Sequence, residues 1–335
     1  MYFALLHHDS DRSYDLSALR YCMTGGAPMP VEVMKDVTRK IKDLGASYFN
    51  IEGGEPLIRF DRLLEMLSVL GDTEEVWVNT TGFSLTEEKA VKMREAGVFG
   101  VMVSIHHPDP AKHDAFVGHE GAFDIAVGAL RTFKKAGIST MINCTGTQAL
   151  VDGDGFDRIM EIAKDAGCAM VQLIHEKPAG AWMEKDDTMG AEYLRRLQEL
   201  HRKYNSNRVK RAYPPISSQA FESRLDEFGC TAGAIERFYI NANGDVQPCE
   251  FVNVSFGNVT EEDFDDIYER MRSRFVDPRT SWICCTEQQR VSNAFRSSGQ
   301  RNTPLSKERS AEVIGKFDRG GKTPIYSRMG LYEGK

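Results

Sequence analysis

No run of 18 or more apolar residues occurs in the 335-residue chain, and the longest largely apolar run, 98–105, has the length of a strand. A helix needs about 20 such residues to cross a bilayer, so no membrane association is expected. No secretory leader is expected either. The apolar opening Met1-Tyr2-Phe3-Ala4-Leu5-Leu6 stops at His7, His8 and Asp9, too soon for a signal h-region. There is no excess of basic charge: 42 Lys and Arg stand against 49 Asp and Glu, a net −7. That balance disfavours a nucleic-acid partner, and the basic stretches 202–211 and 290–309 read as solvated faces. Seven cysteines are an odd set, which with no export signal excludes a disulfide scaffold. Internal repeats and low-complexity tracts are absent as well. A cytoplasmic protein is expected, long enough for about two domains of ~150 residues each.

What is present is a regular alternation of helix and strand from residue 30 to about 175. An amphipathic helix is predicted over 30–44, with Met34, Val37, Ile41 and Leu44 on one face and Pro30 in its first turn. Strands follow at 47–52, 75–80, 98–105, 138–144 and 168–174, separated by helices at 60–70, 86–96, 122–136 and 156–166. Ser84-Leu85-Thr86-Glu87, or its neighbours, supplies a capping-box start for the third helix. The strands are rich in Val, Ile and Met, as strands buried on both faces are. Parallel βα units in a barrel or a doubly wound sheet are therefore expected, with chemistry at the carboxyl ends of the strands. A helix at 191–204 and the break Tyr213-Pro214-Pro215 precede a change of texture. Two short strands, 237–241 and 246–251, flank the hairpin signal Asn243-Gly244, and a helix follows at 261–272. Past Gln289 the chain is rich in Ser, Gly and Arg and reads as an irregular tail.

The strand ends are polar. Glu52-Gly53-Gly54-Glu55-Pro56 closes the first strand. Its glycines permit a ligand to approach the backbone, its carboxylate suits an ammonium group, and Pro56 fixes the turn. Asn79-Thr80-Thr81-Gly82, Ser104-Ile105-His106-His107, Asn143-Cys144-Thr145, and Gln172 with His175-Glu176-Lys177 close the others. Adjacent histidines point apart on a strand, so His106 is read as a capping or ligand-bonding group rather than a metal ligand. Among the cysteines, Cys144 and Cys168 lie in apolar runs and read as small packed residues. Cys230, Cys249, Cys284 and Cys285 fall within the window 230–285 and raise metal or cluster ligation. Trp77, Trp182 and Trp282 read as core or rim aromatics.

The strand-end series resembles the radical S-adenosylmethionine (SAM) superfamily over residues 35–180. That resemblance implies a partial (β/α)6 TIM-like barrel of parallel strands. It implies cofactor binding by Gly53, Gly54, Glu55 and Pro56, which match the motif receiving the methionine amino group, and by Asn79, Thr80, Ser104, Asn143 and Thr145. His106 stands where many members carry an acidic residue. Phe238 to Cys249, with Phe256-Gly257-Asn258-Val259 after it, resembles the SPASM or twitch auxiliary-cluster module, a small hairpin-plus-helix domain. There Cys230, Cys249, Cys284 and Cys285 would hold an auxiliary 4Fe–4S cluster, thiolates being the donors such clusters take. Tetrahedral zinc is the alternative for four thiolates. Hydrogen-atom abstraction on a peptide or small molecule is implied, with a flavodoxin or ferredoxin as reductant.

The family's Cys-x-x-x-Cys-x-x-Cys triplet, which holds the 4Fe–4S cluster that cleaves SAM, does not occur in the sequence. Cys22 is the one cysteine before Gly53, and impaired catalysis is expected. Residues 1–33, with Met1 to Leu6 and Tyr14 to Pro30, resemble an internal piece of a fatty-acyl-CoA synthetase. The sequence thus reads as a chimera: a fragment at 1–33 standing in for the first barrel strand, a partial barrel at 34–205, a SPASM-like domain at 206–290 and a tail at 291–335. A single-cluster electron-transfer remnant, an inactive AMP-forming ligase fragment and a metal-free α/β protein with packed thiols are the competing readings.

Overall fold

Six hydrophobic strands pair in parallel in strict chain order, which right-handed βα crossovers impose when each new strand is laid beside the last. A computed structural model describes residues 29–71, 73–177, 179, 182, 190–209, 211–222, 229–280, 282–300 and 303–330. The strands are β1 (Tyr48–Ile51), β2 (Glu75–Thr80), β3 (Val98–Ser104), β4 (Ser139–Gly146), β5 (Met170–His175) and β6 (Ile216–Ser218). They form a curled half-barrel. Helix Val31–Asp43 precedes β1, helices Phe60–Leu67, Glu87–Glu95, Ala122–Lys135 and Gly155–Ala166 lie between successive strands from β1 to β5, and Val78, Val101, Val103, Ile142, Val171 and Leu173 are fully buried.

The other face differs from the expectation of strands buried on both sides. β1 and β5 alternate between covered and open residues, so the inner face is only partly covered. Its floor is apolar: Trp77 packs with Met102 and Met141, and Met170 lies against them. Gly100 makes this possible, because a side chain there would meet the Trp77 ring at 2.4 Å. Above the floor, Ser104, Asn143, Gln172 and Ser217 are register partners across β3 to β6. Facing residues alternate along a strand, so this polar row lies on the same face as the methionines.

Several local expectations are corrected. Thr86, not a Ser84 box, caps Glu87–Glu95 by accepting the Lys89 N–H at 3.1 Å, while Ser84 sits in a turn with φ +65°. The first helix buries Val37 and Thr38, and Leu44 lies exposed beyond its end. A further helix, Pro110–Val117, opens on the Asp109 cap and stops at Gly118 in the left-handed region.

The chain divides into two units, Met1–His175 with Arg195–Ser218, and Glu176–Leu194 with Gln219–Lys335. Residues 206–218 thus join the barrel through β6, and 176–194 join the second unit. That unit holds the antiparallel hairpin of β7 (Tyr239–Ile240) and β8 (Val246–Gln247). The Asn241 side chain accepts the N–H groups of Asn243 and Asp245 at 2.9 and 3.0 Å, and Gly244 takes φ +92°. Helix Phe264–Arg274 packs Phe264, Ile267 and Met271 into the core. The expected irregular tail is instead built of helices Gln288–Ser298, Lys307–Ile314 and Pro324–Arg328, with Phe295, Leu305, Val313, Phe317 and Tyr326 buried.

Candidate functional site

In the barrel unit the turn after β1 exposes Gly53 and Gly54 and buries Glu55, which is 4% exposed. Glu55 does not present a free carboxylate to a ligand ammonium, which corrects the sequence expectation. One oxygen accepts the Leu57 N–H at 3.1 Å and the Thr80 hydroxyl at 2.6 Å. The other accepts the N–H and hydroxyl of Thr81 at 2.7 and 2.5 Å. Glu55 therefore latches the end of β1 to the end of β2 and caps the short 3-10 helix Pro56–Arg59. Thr80 serves the same latch.

Two rim residues keep unmet capacity. Asn79 donates to Glu52 at 2.8 Å, yet its Oδ1 is buried without a hydrogen bond, and so is Oδ1 of Asn143. A buried carbonyl oxygen with no donor is costly unless a ligand completes it. SAM carries an ammonium, ribose hydroxyls and an adenine amine, so the donor chemistry of that cofactor fits these two acceptors. Ser104 and Asn143 pair across β3 and β4. His106 plays a framework part: its Nδ1 accepts the Thr145 N–H at 3.2 Å, and its own backbone N–H donates to His113 at 3.1 Å. Burial, then the neighbouring His113, pushes the His106 pKa down to about 3. The imidazole is thus neutral in the folded chain, whereas unfolded it gains its proton near pH 6.5. His106 therefore contributes stability above pH 6.5 that is lost progressively as the pH falls toward 3. Amide exchange of β3 and β4 followed from pH 7.5 to 5 checks this, with His106→Asn expected to flatten the trend.

In the second unit Cys230 and Cys249 are buried, and the part-buried Cys284 and Cys285 are the middle residues of the short helix Ile283–Thr286. The vicinal sulfurs are 3.9 Å apart. Cys249 donates its S–H to Glu250 at 2.9 Å, and burial, then Glu250, pushes this thiol well up. Its hydrogen bond with Cys285, then burial, raises Cys284, and the same bond lowers Cys285. Arg237 is the common neighbour. Burial works against its charge, while Cys249, Glu250, Cys230 and Cys284 act the other way and its pKa is raised. Lys177, near Cys284 and Cys285, lies over the rings of Phe251 and Trp282 at 5.0 and 5.2 Å. Among the described residues no three Cys, His, Asp or Glu side chains converge on the space of one metal ion.

A buried arginine holds these segments together. Cys230 and Arg279 exchange backbone hydrogen bonds at 2.8 and 2.9 Å. The Arg279 side chain, 1% exposed, donates to Glu287 at 3.1 Å and to the Asp318 carbonyl. Glu287 follows directly on the Cys284–Cys285 helix, so this one ion pair sets the first thiol segment beside the last. Pattern reading missed both Arg237 and Arg279, as it missed Ser217 on the three-residue β6.

A parallel half-barrel with a polar inner rim, and a hairpin unit bearing buried thiols, define a barrel protein with an appended cluster-binding unit. The comparisons make the class specific: residues 20–166 match the radical SAM superfamily, and 230–296 match the iron–sulfur cluster-binding domain SPASM. The chain carries a radical SAM domain followed by a SPASM domain, which imply SAM and 4Fe–4S clusters as cofactors. The radical SAM match begins inside the segment read as acyl-CoA-synthetase-like, and residues 1–28 of that segment lie outside the described residues.

An AdoMet-dependent heme synthase of Nitratidesulfovibrio vulgaris is 27% identical over 267 residues, 72% of each chain. Among solved structures, Streptococcus suis SuiB bound to its precursor peptide SuiA superposes with a TM-score of 0.59 at 18% identity, over 71% of this chain. The matched region is 57% of SuiB, so this chain spans under two thirds of that protein. The enzyme anSMEcpe with bound AdoMet gives 0.56 at 17% identity, over 73% of each chain. These structures share the fold. Among the described residues no helix is long and apolar enough to cross a membrane.

Proposed function

We propose that this chain is a SAM-binding iron–sulfur protein whose ancestral activity is hydrogen-atom abstraction from a peptide or small molecule, with its own cleavage of SAM impaired. The observation that carries the reading is that Cys230, Cys249 and Cys284 are all electrostatic neighbours of one guanidinium, that of Arg237, whose Nε is buried. Those three thiols, with Cys285 beside them, would hold the auxiliary 4Fe–4S cluster. In the barrel, Gly53 and Gly54 leave the backbone open to the methionine end of SAM. The Oδ1 atoms of Asn79 and Asn143 accept the cofactor's N–H or O–H groups, with Ser104 beside them. Glu55, Pro56, Thr80, His106 and Thr145 hold those groups in place. In the family a second 4Fe–4S cluster, held by a cysteine triplet, supplies the electron that cleaves the sulfonium. Within the 335 residues Cys22 alone precedes Gly53, and one thiolate does not replace three. The same fact favours a second reading, a single-cluster electron-transfer protein served by a flavodoxin or ferredoxin in the cytoplasm.

Anaerobic reconstitution with iron and sulfide tests these readings. About one cluster, roughly four irons, per chain is expected, together with SAM retained in equilibrium dialysis and no 5′-deoxyadenosine above background on dithionite reduction. Formation of 5′-deoxyadenosine overturns the impairment. Loss of SAM binding with one cluster present moves the assignment to electron transfer, and a chain that takes up no iron overturns both.

A further inference from the structure

The loop from Cys230 to Arg237 is closed on itself and on the second thiol segment. Ala234 N–H donates to the Arg237 carbonyl at 2.9 Å, and Glu236 N–H to that of Thr231 at 3.0 Å. Gly233 N–H donates to the carbonyl of Pro248 at 2.9 Å, and Pro248 directly precedes Cys249. Gly233 allows this approach, taking φ +79° against the Phe275 ring. Arg237 is thus pinned by backbone bonds between the first two thiols, and its Nε is buried with no hydrogen-bond acceptor. A guanidinium presents rigid, directional donors, and an orphan buried N–H calls for an acceptor. Its electrostatic neighbours are Cys249, Glu250, Cys230 and Cys284. One oxygen of Glu250 takes the Cys249 S–H, and no hydrogen bond joins this carboxylate to Nε. Cys230, Cys249 and Cys284 bring sulfur acceptors to the same surroundings.

We infer that Arg237 is a positioning and potential-setting residue for the auxiliary cluster, its Nε–H donating to a cluster sulfur; the inference rests on the function proposed above. Hydrogen bonds to sulfur and local charge are what set iron–sulfur potentials within one cluster type. On reduction the cluster takes one electron from the reductant and becomes more negative by one charge. A fixed cation in a low-dielectric setting favours that form. Arg237 therefore raises the midpoint potential and makes this cluster easier to reduce than it would be without the cation.

The test uses the full chain reconstituted anaerobically, with Arg237→Lys, Arg237→Gln and Arg237→Met beside the parent. Midpoint potentials are read by redox titration followed through the electron paramagnetic resonance of the reduced cluster, and folding by circular dichroism. Arg237→Met is expected to move the oxidised-to-reduced ratio at a fixed potential at least about tenfold toward oxidised, or 59 mV downward for one electron. Arg237→Lys keeps the charge but not the fork, and is expected to fall between. A midpoint in Arg237→Met equal to the parent overturns the inference. If that variant takes up no iron, unchanged midpoints in the Lys and Gln variants overturn it equally. Variants that fold yet all fail to bind iron also overturn it, by making Arg237 a requirement for assembly. A parent chain without iron instead overturns the proposed function, a different result from an unchanged midpoint.

Discussion

Glu55→Ala is expected to destabilise the barrel unit by roughly 3–5 kcal/mol. Four donors converge on this carboxylate: two hydroxyls, from Thr80 and Thr81, and two backbone N–H groups, from Leu57 and Thr81. Alanine leaves all four without their acceptor in a site that is nearly closed, and each orphaned buried group costs about 1–3 kcal/mol. Half-buried Thr81 recovers part of this by bonding water, which keeps the sum below the simple total. Glu55→Gln is expected to lose less, because the amide retains one acceptor while turning a donor toward another. Two structural units make a single unfolding midpoint a poor readout. Amide exchange at β1 and β2 is the direct one: protection is expected to fall there and to hold at β7 and β8. Unchanged protection at Thr80 and Thr81 would show that the latch does not join the two strand ends. The same substitution is also expected to weaken SAM retention, since the turn it fixes carries Gly53 and Gly54.

Cys249→Ala is expected to abolish stable cluster uptake while the protein still folds. Cys249 is 4% exposed, and its thiol bonds only the adjacent Glu250 carboxylate and the Phe251 backbone N–H, so the apo fold loses little with it. A bound cluster loses one of its thiolates. Changes in groups merely surrounding a metal site already cost about 10–100-fold in affinity, and removal of a donor is expected to exceed that. Iron and sulfide per chain after gel filtration give the measurement. Cys168→Ala is the control: burial pushes this thiol up to about 11, it lies in the barrel unit, and uptake is expected at the parent level. Equal iron in Cys249→Ala and parent would remove Cys249 from the ligand set.

The parts of the fold that were legible in the sequence are those whose signal is local. Residues 75–80 and 191–204 appear in the structure with the same limits, because Val-Trp-Val and a long amphipathic period leave no competing choice. β6 escaped notice because three residues after two prolines carry no periodicity. The C-terminal helices escaped because polar, glycine-bearing sequence hid widely spaced apolar anchors such as Phe295, Leu305 and Phe317. At the site, the Gly-Gly-Glu-Pro turn and the four late cysteines stand out by motif and spacing. The work of Glu55 did not, since its partners lie 25 and 26 residues away. Arg237 and Arg279 were equally silent: a lone arginine in sequence is a surface residue until tertiary packing buries it.

The helices beyond residue 296, where the family match ends, change how the cluster unit can be handled in isolation. Ser310 Oγ accepts the Ser255 N–H at 2.9 Å, Leu305 N–H donates to the Asn253 carbonyl at 3.0 Å, and Tyr326 donates to Glu236. A polypeptide cut at the domain boundary would strip these caps from the segments next to Cys249 and Arg237 and open an apolar seam around Phe256. Oxygen and water would then have freer access to Cys249, which the intact protein buries, and rapid bleaching of such a fragment would report its missing roof rather than weak ligands.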